Sequence, residues 1–194
     1  MRSWYSPGGP CQTRPMAHRT IVGAFVAALT LLATPAQAAV IRGGDGPDRL
    51  VGDHQDDVLL GGRGDDELKD LHGRNVLAGG PGADALEGGG GVDRLSGGPG
   101  RDYLVDYLGG DLLRGGPGDD RAVVDSRGTR PHGPTRLHLG RGDDTVLTRQ
   151  DDRLDVIDCG PGHDVVEWLA DSGAILDPAD RLVDCEVVRE YLGA

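Results

Sequence analysis

The chain lacks the motifs from which most hydrolases and metalloenzymes are built. It has no G-x-S-x-G elbow, no H-E-x-x-H zinc motif, few serines and no cysteine with partners for nucleophilic chemistry, so no familiar catalytic constellation can be assembled. His54, His72, His132, His138 and His163 stand at no metal-ligand spacing. Positive charge is scarce, with 20 Lys and Arg against 32 Asp and Glu and a formal net charge of −12. That balance argues against nucleic acid and anionic membranes as partners and suits cations. The apolar run from Ile21 to Leu32 is too short for a membrane span. Cysteine is limited to three residues.

The apolar run has another explanation. Met16-Ala17-His18-Arg19 is a short basic segment, Ile21 to Leu32 an apolar one, and Ala36-Gln37-Ala38 an A-x-A cleavage pattern, which together read as a secretory leader cut after Ala38. Residues before Met16 read as an upstream extension. Cleavage removes Arg2, Arg14 and Arg19 and no acid, taking the formal charge from −12 to about −15. Cys11 leaves with the leader. Cys159 and Cys185 remain, and an even pair in an exported chain favours a disulfide over two free buried thiols. The expected location is therefore secreted, extracellular.

Glycine, by contrast, is abundant, at 34 residues. It does not recur at every third place, which excludes a collagen-like helix. Instead, nonapeptides of the form G-G-x-G-x-D-x-U-x, with U a large apolar residue, open at Gly43, Gly61, Gly79, Gly97 and Gly115, eighteen residues apart. Weaker nine-residue units opening at Gly52, Asp70, Gly88 and Asp106 fill the gaps. The apolar place is held by Leu50, Leu59, Leu68, Leu77, Leu86, Leu95, Leu104 and Leu113 and ends at Ala122, with Ile41 where a truncated preceding unit would put it. A fixed period of this kind signals stacked repeats.

The unit has a chemical logic. Glycines tolerate positive φ and let a Gly-Gly-x-Gly stretch curl with its carbonyl oxygens inward. The Asp at the sixth place adds charge, and calcium is a hard cation that takes six to eight oxygens from carboxylates and carbonyls alike. The x-U-x that follows can be one rung of a stacked parallel sheet with its Leu turned inward.

Residues Gly43 to Val123 resemble the hemolysin-type calcium-binding repeat of RTX proteins. The resemblance implies an all-β fold, a right-handed parallel β-roll in which two nonapeptides make one coil and several calcium ions lie between turns adjacent along one edge. It assigns the ligands of one edge to Asp48, Asp66, Asp84, Asp102 and Asp120, with Gly44, Gly46, Gly62, Gly64, Gly80, Gly82, Gly98, Gly100, Gly116 and Gly118 in the same turns. Asp57, Asp93 and Asp111 are the candidates on the other edge. There only the unit at Gly88 has its glycines, and Asn75 replaces the acid, so a well-formed calcium ladder is expected on one edge and a partial one on the other. Without metal, a chain this rich in Gly and Asp buries little apolar surface and its stacked carboxylates repel, so coil is expected.

The register breaks after Val123. Residues 125–138, with Gly128, Pro131, Gly133 and Pro134, read as a loop or insertion. The pattern resumes weakly at Leu139-Gly140-Arg141-Gly142-Asp143-Asp144 and at Cys159-Gly160-Pro161-Gly162-His163-Asp164, which adds Asp144 and Asp164 to the candidates. The segments around Cys159 and Cys185 are similar to the closing segment of secreted bacterial calcium-binding proteins of this type. Residues 139–194 are therefore expected to form degenerate repeats and a disulfide-containing C-terminal cap, faced by Val165, Val166, Trp168, Leu169, Ile175, Leu176, Leu182, Val183, Val187 and Val188. The resulting division is 1–38 extension and leader, 39–124 calcium-binding roll, 125–138 loop and 139–194 cap. The expected function is a secreted, non-catalytic calcium-binding repeat protein. The alternatives are an extracellular adhesive or structural module, or the accessory roll of a hydrolase.

Overall fold

The computed structural model describes residues 38–125, 133–149, 155–169 and 181–191. The leader up to Gln37, residues 126–132 of the expected loop, and Ile175 and Leu176 of the expected cap lie outside the described residues.

A three-residue rung cannot stand alone as a strand, but copies stacked in parallel satisfy one another's backbone groups. Two eight-stranded parallel sheets result. The first runs, in spatial order, Val40–Arg42, Val58–Leu60, Val76–Ala78, Arg94–Ser96, Leu112–Pro117, Arg136–Arg141, Val156–Asp158 and Arg181–Val183. The second holds the alternate rungs Arg49–Val51, Glu67–Lys69, Ala85–Glu87, Tyr103–Asp106, Arg121–Val124, Thr145–Arg149, Val165–Leu169 and Val187–Tyr191. The chain passes from one sheet to the other and back, a parallel β-solenoid of about seven turns in which every regular element of the described residues is a strand.

Because side chains alternate along a strand, the middle residue of each x-U-x rung points inward while its neighbours face out. Leu59, Leu77, Leu95, Leu113, Leu137 and Ile157 pair in register through the first sheet. Leu50, Leu68, Leu86, Leu104, Ala122, Val146 and Val166 do so through the second. Both columns are buried and together form a single core. On the outer face, Arg49 meets Glu67 at 3.1 Å, and Lys69 meets Glu87, each directly across one rung boundary. The exposed Arg49–Glu67 pair adds about 0.2–1 kcal/mol at most.

Both sheets continue past Val124, where the sequence pattern decays. Arg136–Arg141 pairs with Leu112–Pro117, and Thr145–Arg149 with Arg121–Val124. Across this segment equivalent positions stand 24 residues apart instead of 18. Val187 and Val188, expected within the apolar cap, are 44% and 39% exposed. They lie on the last rung of their sheet, which has a partner on one side alone. Cys159 and Cys185 form a disulfide with Cα atoms 5.3 Å apart, and it ties the last two turns of one edge together. Closing a loop of 26 residues in the unfolded chain corresponds to about 3–4 kcal/mol of restricted chain entropy.

Candidate metal centre

Each turn that leads from the first sheet to the second places its sixth residue at the start of a rung, facing in. The backbone N–H of Asp48 donates to Oδ1 of Asp66 at 2.8 Å, that of Asp66 to Asp84 at 2.8 Å, that of Asp84 to Asp102 at 2.9 Å and that of Asp102 to Asp120 at 2.8 Å. The ladder goes on beyond the intact repeats. Asp120 donates to Asp144 at 2.7 Å, Asp144 to Asp164 at 2.9 Å, and Asp164 to Oε2 of Glu186 at 2.6 Å. From Asp66 on, one oxygen of each carboxylate is thereby used in holding the preceding coil in register.

The other oxygen is left over. Oδ2 of Asp66, Asp84, Asp102, Asp120, Asp144 and Asp164 is buried with no hydrogen-bond partner, on residues at most 2% exposed. Asp48, in the first turn, is half-buried and its Oδ2 accepts the N–H of Gly44 at 2.7 Å. An unpaired buried carboxylate costs several kcal/mol, so a row of them requires protons or a cation. The free oxygens pack against the glycines that lead the turns. A Cβ placed on the leading glycine of a turn would fall 2.2 Å from the free oxygen, as at Gly97 over Asp102 and Gly115 over Asp120. Further out, Gly98 and Gly100 have φ of 118° and 150°, and a Cβ on them would stand 2.3 and 1.7 Å from the carbonyl oxygens of Gly80 and Gly82 one coil back. Only glycine lets successive turns approach so closely with their carbonyls between them.

Burial raises the carboxyl pKa values along this edge, and neighbouring carboxylates add to the effect. Asp120 is pushed up to about 7, and Asp102 and Asp144 to about 6; Asp84 and Asp164 are raised as well. Backbone N–H donors oppose the shift without cancelling it.

The opposite edge is built differently. Its ladder runs through Asp57, Asn75, Asp93 and Asp111. The N–H of Asp57 donates to Asn75 Oδ1 at 3.0 Å, that of Asn75 to Asp93 at 2.7 Å and that of Asp93 to Asp111 at 2.6 Å. Asn75 spends its Nδ2 on the carbonyl of His72 at 2.9 Å, and Oδ2 of Asp57 accepts the N–H of Asp53 at 2.9 Å, so neither leaves an oxygen free. A short three-stranded sheet of His72–Gly73, Gly90–Gly91 and Leu108–Gly109 runs through these turns. Asp93 is pushed up to about 7, chiefly by burial.

The paired acids Asp65 and Asp66 point apart. Oδ1 of Asp65 takes the N–H of Ala83 at 2.8 Å on the outer rim, as Asp119 takes that of Asp143 at 3.0 Å. Three acids that sequence reasoning passed over belong to the edges. Glu186 ends the first ladder, and its signal is an acid directly before the rung residues Val187-Val188. Asp70 and Asp106 occupy the place of the leading glycine in two turns and carry buried oxygens without partners, Asp70 Oδ2 and Asp106 Oδ1. Their signal is an acid recurring at the first position of alternate units on one edge.

A parallel solenoid whose turns carry buried, half-satisfied carboxylates beneath glycine carbonyls defines a class of hard-cation-binding repeat proteins. Residues 38–68, 73–104 and 105–123 match the family model of the RTX calcium-binding nonapeptide repeat, four copies, so this region of the chain carries that repeat. No curated protein matches the chain.

Proposed function

We propose that the protein is a secreted, non-catalytic calcium-binding roll that folds as it takes up several calcium ions between adjacent turns. The supporting observation is the row of buried Oδ2 atoms without partners from Asp66 to Asp164. On this reading Asp48, Asp66, Asp84, Asp102, Asp120, Asp144 and Asp164 hold the ions together with carbonyl oxygens of the glycines at the second and fourth places of each turn. The oxygen-only donor set suits calcium above softer metals. Calcium supplies positive charge where the fold has stacked negative charge, and the residues of the chain set the spacing.

The reading assigns an asymmetric roll, a full ladder on the edge of Asp66 and a partial one on the edge of Asp57 and Asn75. Calorimetric titration with calcium should show D102N, in the middle of the full ladder, weakening calcium at its site by at least about tenfold, the lower bound for loss even of a supporting group. Anomalous scattering from a calcium-soaked crystal should place more ions on the first edge than on the second. Equal occupancy would sink the asymmetry, and a wild-type chain that binds no calcium would sink the function. Secretion rests on the leader pattern and the paired cysteines, and N-terminal sequencing of protein from culture medium should find the chain beginning at Ala39.

A further inference from the structure

On the second edge, the first place of successive turns holds Gly52, Asp70, Gly88, Asp106 and Val124. These residues stack: the N–H groups of Gly52, Asp70 and Gly88 donate to the carbonyls of Lys69, Glu87 and Val105, and Asp106 pairs in register with Val124. Glycine alternates with aspartate, so each aspartate side chain has a neighbouring coil with no side chain at the same place.

The consequence is clearest at Asp106. Asp93, Asp106 and Asp111 each bring a carboxylate oxygen into one group in which all lie within 4.8 Å of one another. The three residues are 1%, 1% and 2% exposed, and Asp93 Oδ2, Asp106 Oδ1 and Asp111 Oδ2 have no hydrogen-bond partner. Gly88 opens the space they share, since a Cβ there would stand 3.1 Å from Asp93 Oδ2 and 3.3 Å from Asp106 Oδ1. Two oxygens bound to one calcium at 2.3–2.6 Å lie at most about 5 Å apart, so the group fits around a single ion. Two coils earlier, the equivalent set is Asp57, Asp70 and Asn75. There Asp53 and His72 satisfy Asp57 and Asn75, and only Asp70 keeps a free oxygen.

We propose that Asp93, Asp106 and Asp111 form a calcium site of their own, in which Asp106 replaces the leading glycine of the repeat as a ligand. The site rests on the reading of the roll as a calcium binder but uses no residue of the first edge. Zinc prefers nitrogen and sulfur ligands. Magnesium keeps several waters, which ligands this deeply buried disfavour. Three carboxylates around one divalent ion make the site more anionic than a turn supplying carbonyls, and affinity in oxygen sites rises with ligand charge.

The test is calorimetric calcium titration of the full-length protein, comparing wild type with D106G, D111N and D102N. D106G restores the consensus glycine, so a merely degenerate turn should then bind calcium as well as before or better. The proposed site instead requires D106G to lose one ion from the stoichiometry, or to bind it at least about tenfold more weakly. D111N should do the same while keeping its fold, since Asn75 already sits at the equivalent place of the ladder with its amide satisfied. Circular dichroism of the calcium-loaded variants checks that fold. D102N should leave this ion in place. Wild-type affinity and stoichiometry in D106G or D111N overturn the site alone, whereas absence of calcium binding in the wild type overturns the roll reading and the site with it.

Discussion

Chelation at neutral pH is expected to convert the calcium-loaded protein from parallel β-structure to coil, with restoration on adding calcium back. The solenoid has a narrow core, one or two buried apolar residues in most rungs, and its inner edges carry buried carboxylates whose second oxygens lack partners. Without a cation those charges are desolvated and stacked one coil above another, the arrangement that burial and like charge most disfavour. Each calcium at a hundredfold excess over its dissociation constant adds about 2.7 kcal/mol to the folded state. Several ions together match the 5–15 kcal/mol that separates a typical folded domain from its unfolded chain. Far-UV circular dichroism with and without chelator measures the change. A spectrum unaffected by chelator would show that the Leu columns and the Cys159–Cys185 disulfide suffice, and would remove the basis for metal-driven folding.

The roll was legible in the sequence because its two periods, the apolar place and the acid before it, follow directly from stacking. Leu59, Leu77 and Leu95 must superpose for the core to close, and any coil that lost its Leu would open a cavity. Where the chain departs from the consensus, stacking tolerates more than the pattern suggests. Leu137, Ile157 and Thr135 take their places although no glycine-rich unit announces them, because a rung requires only one inward apolar residue and backbone pairing with the coil before it. The closing turn shows the same latitude. Asp184, directly after the rung Arg181–Val183, adopts φ of 52°, whereas the other positive φ values among the described residues fall on glycine, and Asp reaches that conformation more readily than most side chains. Asp70 and Asp106 escaped notice for the opposite reason. Read one unit at a time they are lost glycines, and their meaning lies in the neighbouring coil, where Gly52 and Gly88 leave room for a carboxylate. The consensus describes a turn, whereas an ion between turns depends on two of them.

Acid is expected to affect the metal-free and calcium-loaded protein in opposite directions. In the fold, Asp120 and Asp93 are pushed up to about 7, and Asp102, Asp144 and Asp70 to about 6, from an ordinary value of 3.8. A carboxyl group whose pKa is raised by folding binds its proton more tightly in the folded state. Its contribution to stability is complete below about pH 4 and is lost as pH rises through 6 to 7. Metal-free protein should accordingly hold more β-structure at pH 5 than at pH 8. With calcium the same protons are competitors, because the ion requires the carboxylates deprotonated. Where one proton leaves per ion bound, the apparent affinity should fall about tenfold per pH unit below the raised pKa, or about tenfold to fiftyfold from pH 7 to pH 5 for pKa values of about 6 to 7. Calcium titrations in buffers of differing ionisation enthalpy should then report proton release that grows between pH 8 and pH 6. An affinity constant across that range, with no proton released, would mean that the buried carboxylates of the ladder do not receive the metal.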